Sequence, residues 1–149
     1  MASAPKSYLT FRVARRDLAL EAARVRGILP LSELTPLPSA RTGLLGIASL
    51  QGRAVAVLDL RARLDLPNVS PGPQPKIVVV EVAPGGEVAP DGVLHLAGFV
   101  ADRVSDVVLY RGRDLRGDTL RGQGRPRKLI DFDRIVTADD VAGLWALSL

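Results

Sequence analysis

The chain has 149 residues, 47% hydrophobic and 24% charged, with 20 Lys and Arg against 16 Asp and Glu for a formal charge of +4. That is the composition of one ordinary globular domain, long enough to bury a core without covalent staples. With no cysteine and a single histidine, it excludes disulfides and thiolate metal sites and leaves too few ligands for a zinc centre.

The N-terminus "MASAPKSYLTF" lacks the apolar core of a signal peptide, and no run reaches transmembrane length. A cytoplasmic protein with no membrane insertion is expected. In "SYLTFRVA", Tyr8, Thr10 and Arg12 alternate with Leu9, Phe11 and Val13, a strand with one apolar face. Arg15 to Asp17 reads as a polar hairpin turn, "LALE" as the returning strand, and "AARVRGILPL" as a short turn followed by a strand. "TPLPSARTG" is a loop. "LLGIASL" and "RAVAVLDL" form a hairpin around Gln51-Gly52, with Gly52 suited to a type I′ or II turn. Val55 and Val57 face one way, Ala54, Ala56 and Leu58 the other, so both faces of this strand need cover. Asp59 can cap "LRARL", a helical turn with its arginines outward.

"DLPNVSPGPQPK" supplies a Pro-rich connector near residues 67–76. "KIVVVEVA" is a strand buried on both faces, "PGGEVAPDG" a long hairpin loop, and "VLHLAGFVADRVSDVVLY" a pair of strands turning at Asp102-Arg103. The Gly- and Arg-rich segment 111–128 reads as loop and "LIDFDRIV" as a final strand. "TADDVAGLWALSL" closes the chain as a short amphipathic helix. Thr137 is its N-cap with Asp140 three residues later, and Val141, Leu144 and Trp145 form its stripe. A faint echo relates Leu18–Leu29 to Ala97–Val108: Ala22, Arg24, Val25 and Ile28 match Ala101, Arg103, Val104 and Val107. It points to two duplicated β-lobes on either side of the connector.

Chemistry-bearing constellations are sparse. His95 alternates with apolar residues inside a strand and reads as structural rather than as a catalytic base. Asp131 and Asp133 would share a strand face, the arrangement of an acid/base pair, beside a basic loop that makes a solvated face the simpler reading. A charge of +4 is normal for a small domain, where about 2–8 is usual. Arg111, Arg113, Arg116, Arg121, Arg125, Arg127 and Lys128 could follow a phosphate backbone, which makes a small basic β-barrel binding nucleic acid the alternative function. Against it, no aromatic residue is interleaved after Tyr110. No catalytic, cofactor or metal residue is assigned. The excess of two-sided apolar strands points instead to a partner surface.

Four ordered pieces resemble the CheW-like family of chemosensory adaptors. "YLTFRVARRDLALEAARVRGIL" resembles its opening hairpin and Val-x-x-Ile segment. "GIASLQGRAVAVLDLR" resembles its Gly-x-x-x-Leu-Arg-Gly-x-x-x-Pro-x-x-Asp-Leu-Arg. "AGFVADRVSDVV" resembles its Gly-x-x-Val-Asp-x-Val-x-x-Val hairpin, and "LIDFDRIV" its late Leu-Asp strand. The resemblance implies a mostly all-β domain over residues 8–148, after a tail at 1–7: two five-stranded SH3-like β-barrel subdomains packed together. It implies a non-catalytic scaffold that couples a chemoreceptor's cytoplasmic tip to a histidine kinase's regulatory domain, or to another CheW-like protein. The implied kinase-side face is Val25, Gly27, Ile28, Val55 and Val57. The implied receptor groove is Gln51, Ile77, Val104 and Val107, and Gly46, Gly52, Asp59 and Arg61 are implied structural positions.

Three departures stand out. Gln51 replaces the family's usual Arg, Gly27 its usual Glu and Ala56 its usual Pro. The stretch between Val108 and Leu120 is also shorter than usual. These departures imply a divergent adaptor, comparable to the FrzB-like class, that keeps the receptor in preference to the kinase.

Overall fold

A computed structural model describes residues 4–37, 43–84 and 94–141. β1 (Lys6–Val13) and β2 (Arg16–Glu21) form an antiparallel hairpin. Its turn is Ala14-Arg15, at φ 49° and 67°. Two consecutive residues at positive φ make the tight turn that matches strand twist, so the reversal comes one residue before the polar Arg15–Asp17 stretch. A 3-10 turn at Ala22–Arg24 leads into β3 (Val25–Pro30), and another at Leu31–Glu33 into β4 (Thr35–Pro36). β5 (Leu44–Leu50) and β6 (Arg53–Leu58) meet at Gln51-Gly52, φ 51° and 79°, again the type I′ signature. α1 (Leu60–Arg63) follows. Past the Pro-rich segment come β7 (Lys76–Val82), β8 (His95–Ala101) and β9 (Arg103–Tyr110). The short β10 (Leu115–Arg116), β11 (Thr119–Leu120) and β12 (Arg127–Leu129) precede α2 (Phe132–Ile135).

The strands form two six-stranded sheets, β10-β11-β12-β2-β1-β9 and β3-β7-β8-β6-β5-β4. Each therefore exceeds the five strands expected of an SH3-like barrel, the additions being very short. Among the described residues the chain passes between the sheets at two places, 21–25 and 101–103. One sheet is the contiguous middle of the chain; the other is built from both ends. The expected pair of lobes split at the Pro-rich connector is not what forms. The connector joins α1 to β7 on the middle sheet's side of both crossings. The echo in the sequence marks the two crossings instead.

Side chains sort into three buried clusters. Val55, Val57, Ile77, Val79 and Leu96 fill the inside of the middle sheet. Tyr8, Ala19, Tyr110 and Leu120 fill the inside of the other. Between the sheets lies the largest cluster, with Leu9, Phe11, Leu18, Leu58, Val78, Val80 and Phe99. Phe99 is its hub, 4.9 Å from Phe11 and 5.1 Å from Phe132 between ring centroids. β1 therefore has both faces covered, not one: Tyr8 and Thr10 are as buried as Leu9 and Phe11.

Further expectations give way. "VADRV" is no hairpin, because β8 pairs with β6 and β7 while β9 pairs with β1. "LIDFDRIV" is no strand: after β12 it turns into α2, with Asp131 at its N-cap. The Arg-rich segment holds a 3-10 turn and three short strands rather than loop alone. In α1 the arginines fold back. Arg61 grips Asp59 with Nε–Oδ1 and Nη2–Oδ2 distances of 3.0 Å and donates to the Val69 carbonyl at 2.6 Å. Arg63 makes a fork on Asp140 at 2.9 and 2.8 Å. The Thr137–Asp140 capping box forms, with the Thr137 N–H donating to Asp140 Oδ2 at 2.8 Å and the Asp140 N–H to Thr137 Oγ1 at 3.3 Å. Burial opposes ionisation of Asp140, but the Arg63 fork and Thr137 outweigh it and hold its carboxyl below the usual range. Leu144, Trp145 and the loop at 85–93 lie outside the described residues.

Candidate functional site

β3 and β9 are end strands of their sheets, and each carries a bulge. In β9, Leu9 opposes Val107 and Phe11 opposes Val104, so Thr10 faces two residues, Ser105 and Asp106. Thr10 is buried, and its Oγ1 both donates to the Asp106 carbonyl at 3.0 Å and accepts the Asp106 N–H at 3.1 Å. In β3, Val25 opposes Val80 and Gly27 opposes Val79, leaving Arg26 as the extra residue. Regular strands alternate faces with period two, so residues three apart would point opposite ways. The bulge cancels that. Val104 and Val107 share the face of Leu9 and Phe11, and Val25 and Ile28 share the face of Val80 and Val78. Those are the faces that meet between the sheets.

Val25 and Val104 pack on the central cluster, while Ile28 and Val107 emerge at its margin, 45% and 61% exposed. A groove of about 640 Å³ runs along this margin. Ile28 and Val104 supply its apolar wall, Arg12, Arg15, Lys76 and Arg103 its cations, and residues 70–74 of the connector its rim. Asp102 is its carboxylate, accepting the Ala14 N–H at 2.9 Å. Burial raises the Asp102 carboxyl pKa, against the pull of the Ala14 N–H, Arg61 and Arg12. These polar residues were missed in the sequence because their grouping depends on the crossing at Asp102, which reads as a hairpin.

Ile28 and Val104, assigned to different partners by resemblance, line one groove. Val55, Val57 and Ile77 are fully buried inside the middle sheet and form no outer face. The apolar strand "RAVAVL" is covered on both sides by this chain itself. Gln51 sits exposed at its hairpin tip, away from the groove lining. Gly27 lies beside that hairpin: a Cβ there would sit 3.1 Å from Leu50 Cδ1. Two of the three substituted positions, Gly27 and Gln51, thus lie close together, Gly27 against the residue that precedes Gln51. Gly46 is structural, since a Cβ would strike the Thr35 carbonyl, and Gly52 serves the turn through its positive φ. Asp59 and Arg61 close the motif as a locked pair.

The other candidate groups are engaged elsewhere. Asp133 pairs with Arg24 at 2.5 Å and accepts the Ala83 N–H at 2.9 Å, whereas Asp131 lies exposed near Arg134 at 3.5 Å. Both line one cavity of about 370 Å³, but from α2 and its N-cap rather than from one strand face. His95 opens β8 as a half-buried residue paired with Val82. Among the described residues no group of His, Cys, Asp and Glu could hold a metal ion, and no helix is long and apolar enough to cross a membrane.

Comparison with known proteins agrees with this architecture. A chemotaxis protein CheW of Rhizobium meliloti (strain 1021) is 26% identical over 129 residues, 87% of this chain and 72% of that protein. The crystal structure of the scaffolding protein TtCheW from Thermoanaerobacter tengcongensis superposes with a TM-score of 0.71 at 18% identity, covering 86% of this chain and 90% of that one. The family model for the CheW-like domain matches residues 7–139, nearly the whole described chain, and the protein belongs to the CheW-like family.

Proposed function

We propose that this protein is a non-catalytic cytoplasmic adaptor of a chemosensory assembly, coupling a chemoreceptor's cytoplasmic tip to signalling partners and favouring the receptor over the histidine kinase. The observation that carries the reading is the pair of bulged end strands. They put Val25 and Ile28 on one face and Val104 and Val107 on the other, and of these Ile28 and Val104 line one groove between the sheets, with Ile28 exposed. An exposed apolar margin set beside Arg12, Arg15 and Arg103 suits an amphipathic helix carrying carboxylates. The weaker kinase coupling follows from Gln51 and Gly27, adjacent positions where a neutral amide and a hydrogen replace charged side chains usual in the family.

Binding of the purified protein to the tip fragment of its cognate receptor and to the kinase's regulatory domain tests this. Ile28→Asp should weaken receptor binding about tenfold or more, as burying a charge in an apolar contact does. Gln51→Arg with Gly27→Glu should strengthen kinase binding. The wild-type protein binding neither partner overturns the adaptor reading; kinase affinity at the level of receptor affinity overturns the preference.

A further inference from the structure

Beyond the cleft, β9 continues to a second surface. β9 is the last strand of its sheet, so the N–H and C=O groups along its outer edge have no strand partner among the described residues. Leu109 stands 57% exposed beside Val107. Immediately after the strand, Arg111, Arg113, Arg116 and Arg121 are exposed, and none of their side chains has an ion pair among the described residues. They gather round Asp114, whose carboxylate accepts the Arg111 N–H at 2.7 Å. Leu109, Arg111 and Arg113 share one hollow of about 330 Å³, and Arg113, Arg116 and Arg121 an adjoining one of about 440 Å³. The apolar stretch and the cationic patch are therefore one continuous surface.

We infer that this surface binds an extended acidic segment of a partner protein, added as a further strand along β9. Its apolar side chains would cover Val107 and Leu109, its backbone would pair with the free edge, and its terminal carboxylates would meet the arginines. Guanidinium forks suit carboxylates, and edge addition supplies main-chain hydrogen bonds. Charge complementarity disfavours a second copy of this chain: antiparallel pairing of β9 with itself would set Arg103 of one copy against Arg111 of the other. Nucleic acid fits less well. A phosphate backbone gains nothing from Val107 and Leu109, and Tyr110, the nearest aromatic ring, is buried in the core and offers no stacking face.

The test is fluorescence anisotropy of the full chain with a labelled peptide, Asp-Asp-Val-Glu-Val-Glu-Val-Asp-Asp, with an all-Glu peptide, with the first peptide methylated on every backbone nitrogen, and with a short DNA duplex. The apolar-acidic peptide should bind at least about tenfold tighter than the other three. Amide exchange along β9 should slow on its addition. Arg113→Glu with Arg116→Glu should cost about tenfold, and Leu109→Ser a smaller factor, with thermal melts confirming that these exposed changes leave the fold intact. Ile28→Asp, across the cleft, should leave peptide binding unchanged, which separates this site from receptor docking. Equal binding of the all-Glu or methylated peptide, tighter binding of duplex, or no peptide binding overturns the inference.

Discussion

β3 and β9 use one device with different reinforcement. Both are end strands, both follow a crossing between the sheets, and both insert one residue so that apolar side chains three apart share a face. The β9 bulge is held from inside by the buried Thr10 hydroxyl. The β3 bulge is held from outside, where Arg26 donates to the Ala23 carbonyl at 2.8 Å and pairs with Glu81. The crossings differ in the same sense. Asp102 alone makes the second, donating its N–H to the Arg12 carbonyl at 2.8 Å and accepting from Ala14. The first needs a full 3-10 turn and the Arg24–Asp133 pair. A geometry that positions an exposed hydrophobic margin can thus be built on a desolvated hydrogen bond or on a solvated ion pair. The first should cost more to remove.

Both strands rest on the central cluster, so the largest effect comes from its hub. Phe99→Ala should destabilise by about 3–5 kcal/mol in chemical denaturation, erasing the difference between the two margins by loosening both. Thr10→Val separates them. It leaves the Asp106 N–H and carbonyl without their hydroxyl, at about 2 kcal/mol, and should speed amide exchange in β9 but not in β3. A loss confined to β3 would show that the two bulges are not independent.

How far the sequence disclosed this follows from what each part depends on. The long strands and the Gln51-Gly52 hairpin are local matters of alternation and turn chemistry, and they were legible; the two- and three-residue strands β10 to β12 carry too few residues to show alternation. That "RAVAVL" needs cover on both faces was legible too, but not what covers it: Val55 and Val57 meet Ile77 and Val79, twenty or more residues on, and Leu58 meets the opposite sheet. The crossing at Asp102 looks like a hairpin because a polar residue between two apolar strands fits either, and only pairing partners distinguish them. The Val-x-x-Ile and Val-x-x-Val spacings contradict period-two alternation, and that contradiction was the available sign of a bulge. α2 was hidden because Ile130, Phe132 and Val136 stand at the even spacing of one strand face, and four helical residues are too few to break that pattern.

A smaller effect sharpens the solvated side of the comparison. Arg24→Ala removes the partner of Asp133, whose side chains are 31% and 21% exposed, while the Ala83 N–H still serves that carboxylate. The expected loss is about 1 kcal/mol, and it should shrink at high salt, because water and ions share the pair. Equal loss at low and high salt would place this pair with the desolvated contacts of β9.

The smallest effect concerns Asp102 and is one of pH. Its carboxyl pKa is raised in the folded protein, chiefly by burial. Below the ordinary carboxylate range the group is protonated whether the chain is folded or not, and it contributes no slope. As pH rises through the ordinary range, the unfolded chain releases the proton first, so the folded state holds more protons and stability falls with pH until the folded group also ionises. Above that point the curve is flat and the cost stays. Asp102→Asn keeps an oxygen to accept the Ala14 N–H but has no proton to release. Its melting temperature relative to the parent should therefore improve from acidic to neutral pH. Asp102→Ala, which leaves that N–H unpaired, should be the less stable variant throughout. An Asn variant that lost ground as pH rose would mean that the attraction of Arg12 and Arg61 outweighs burial, and that the β9 crossing, like that of β3, is held by charge.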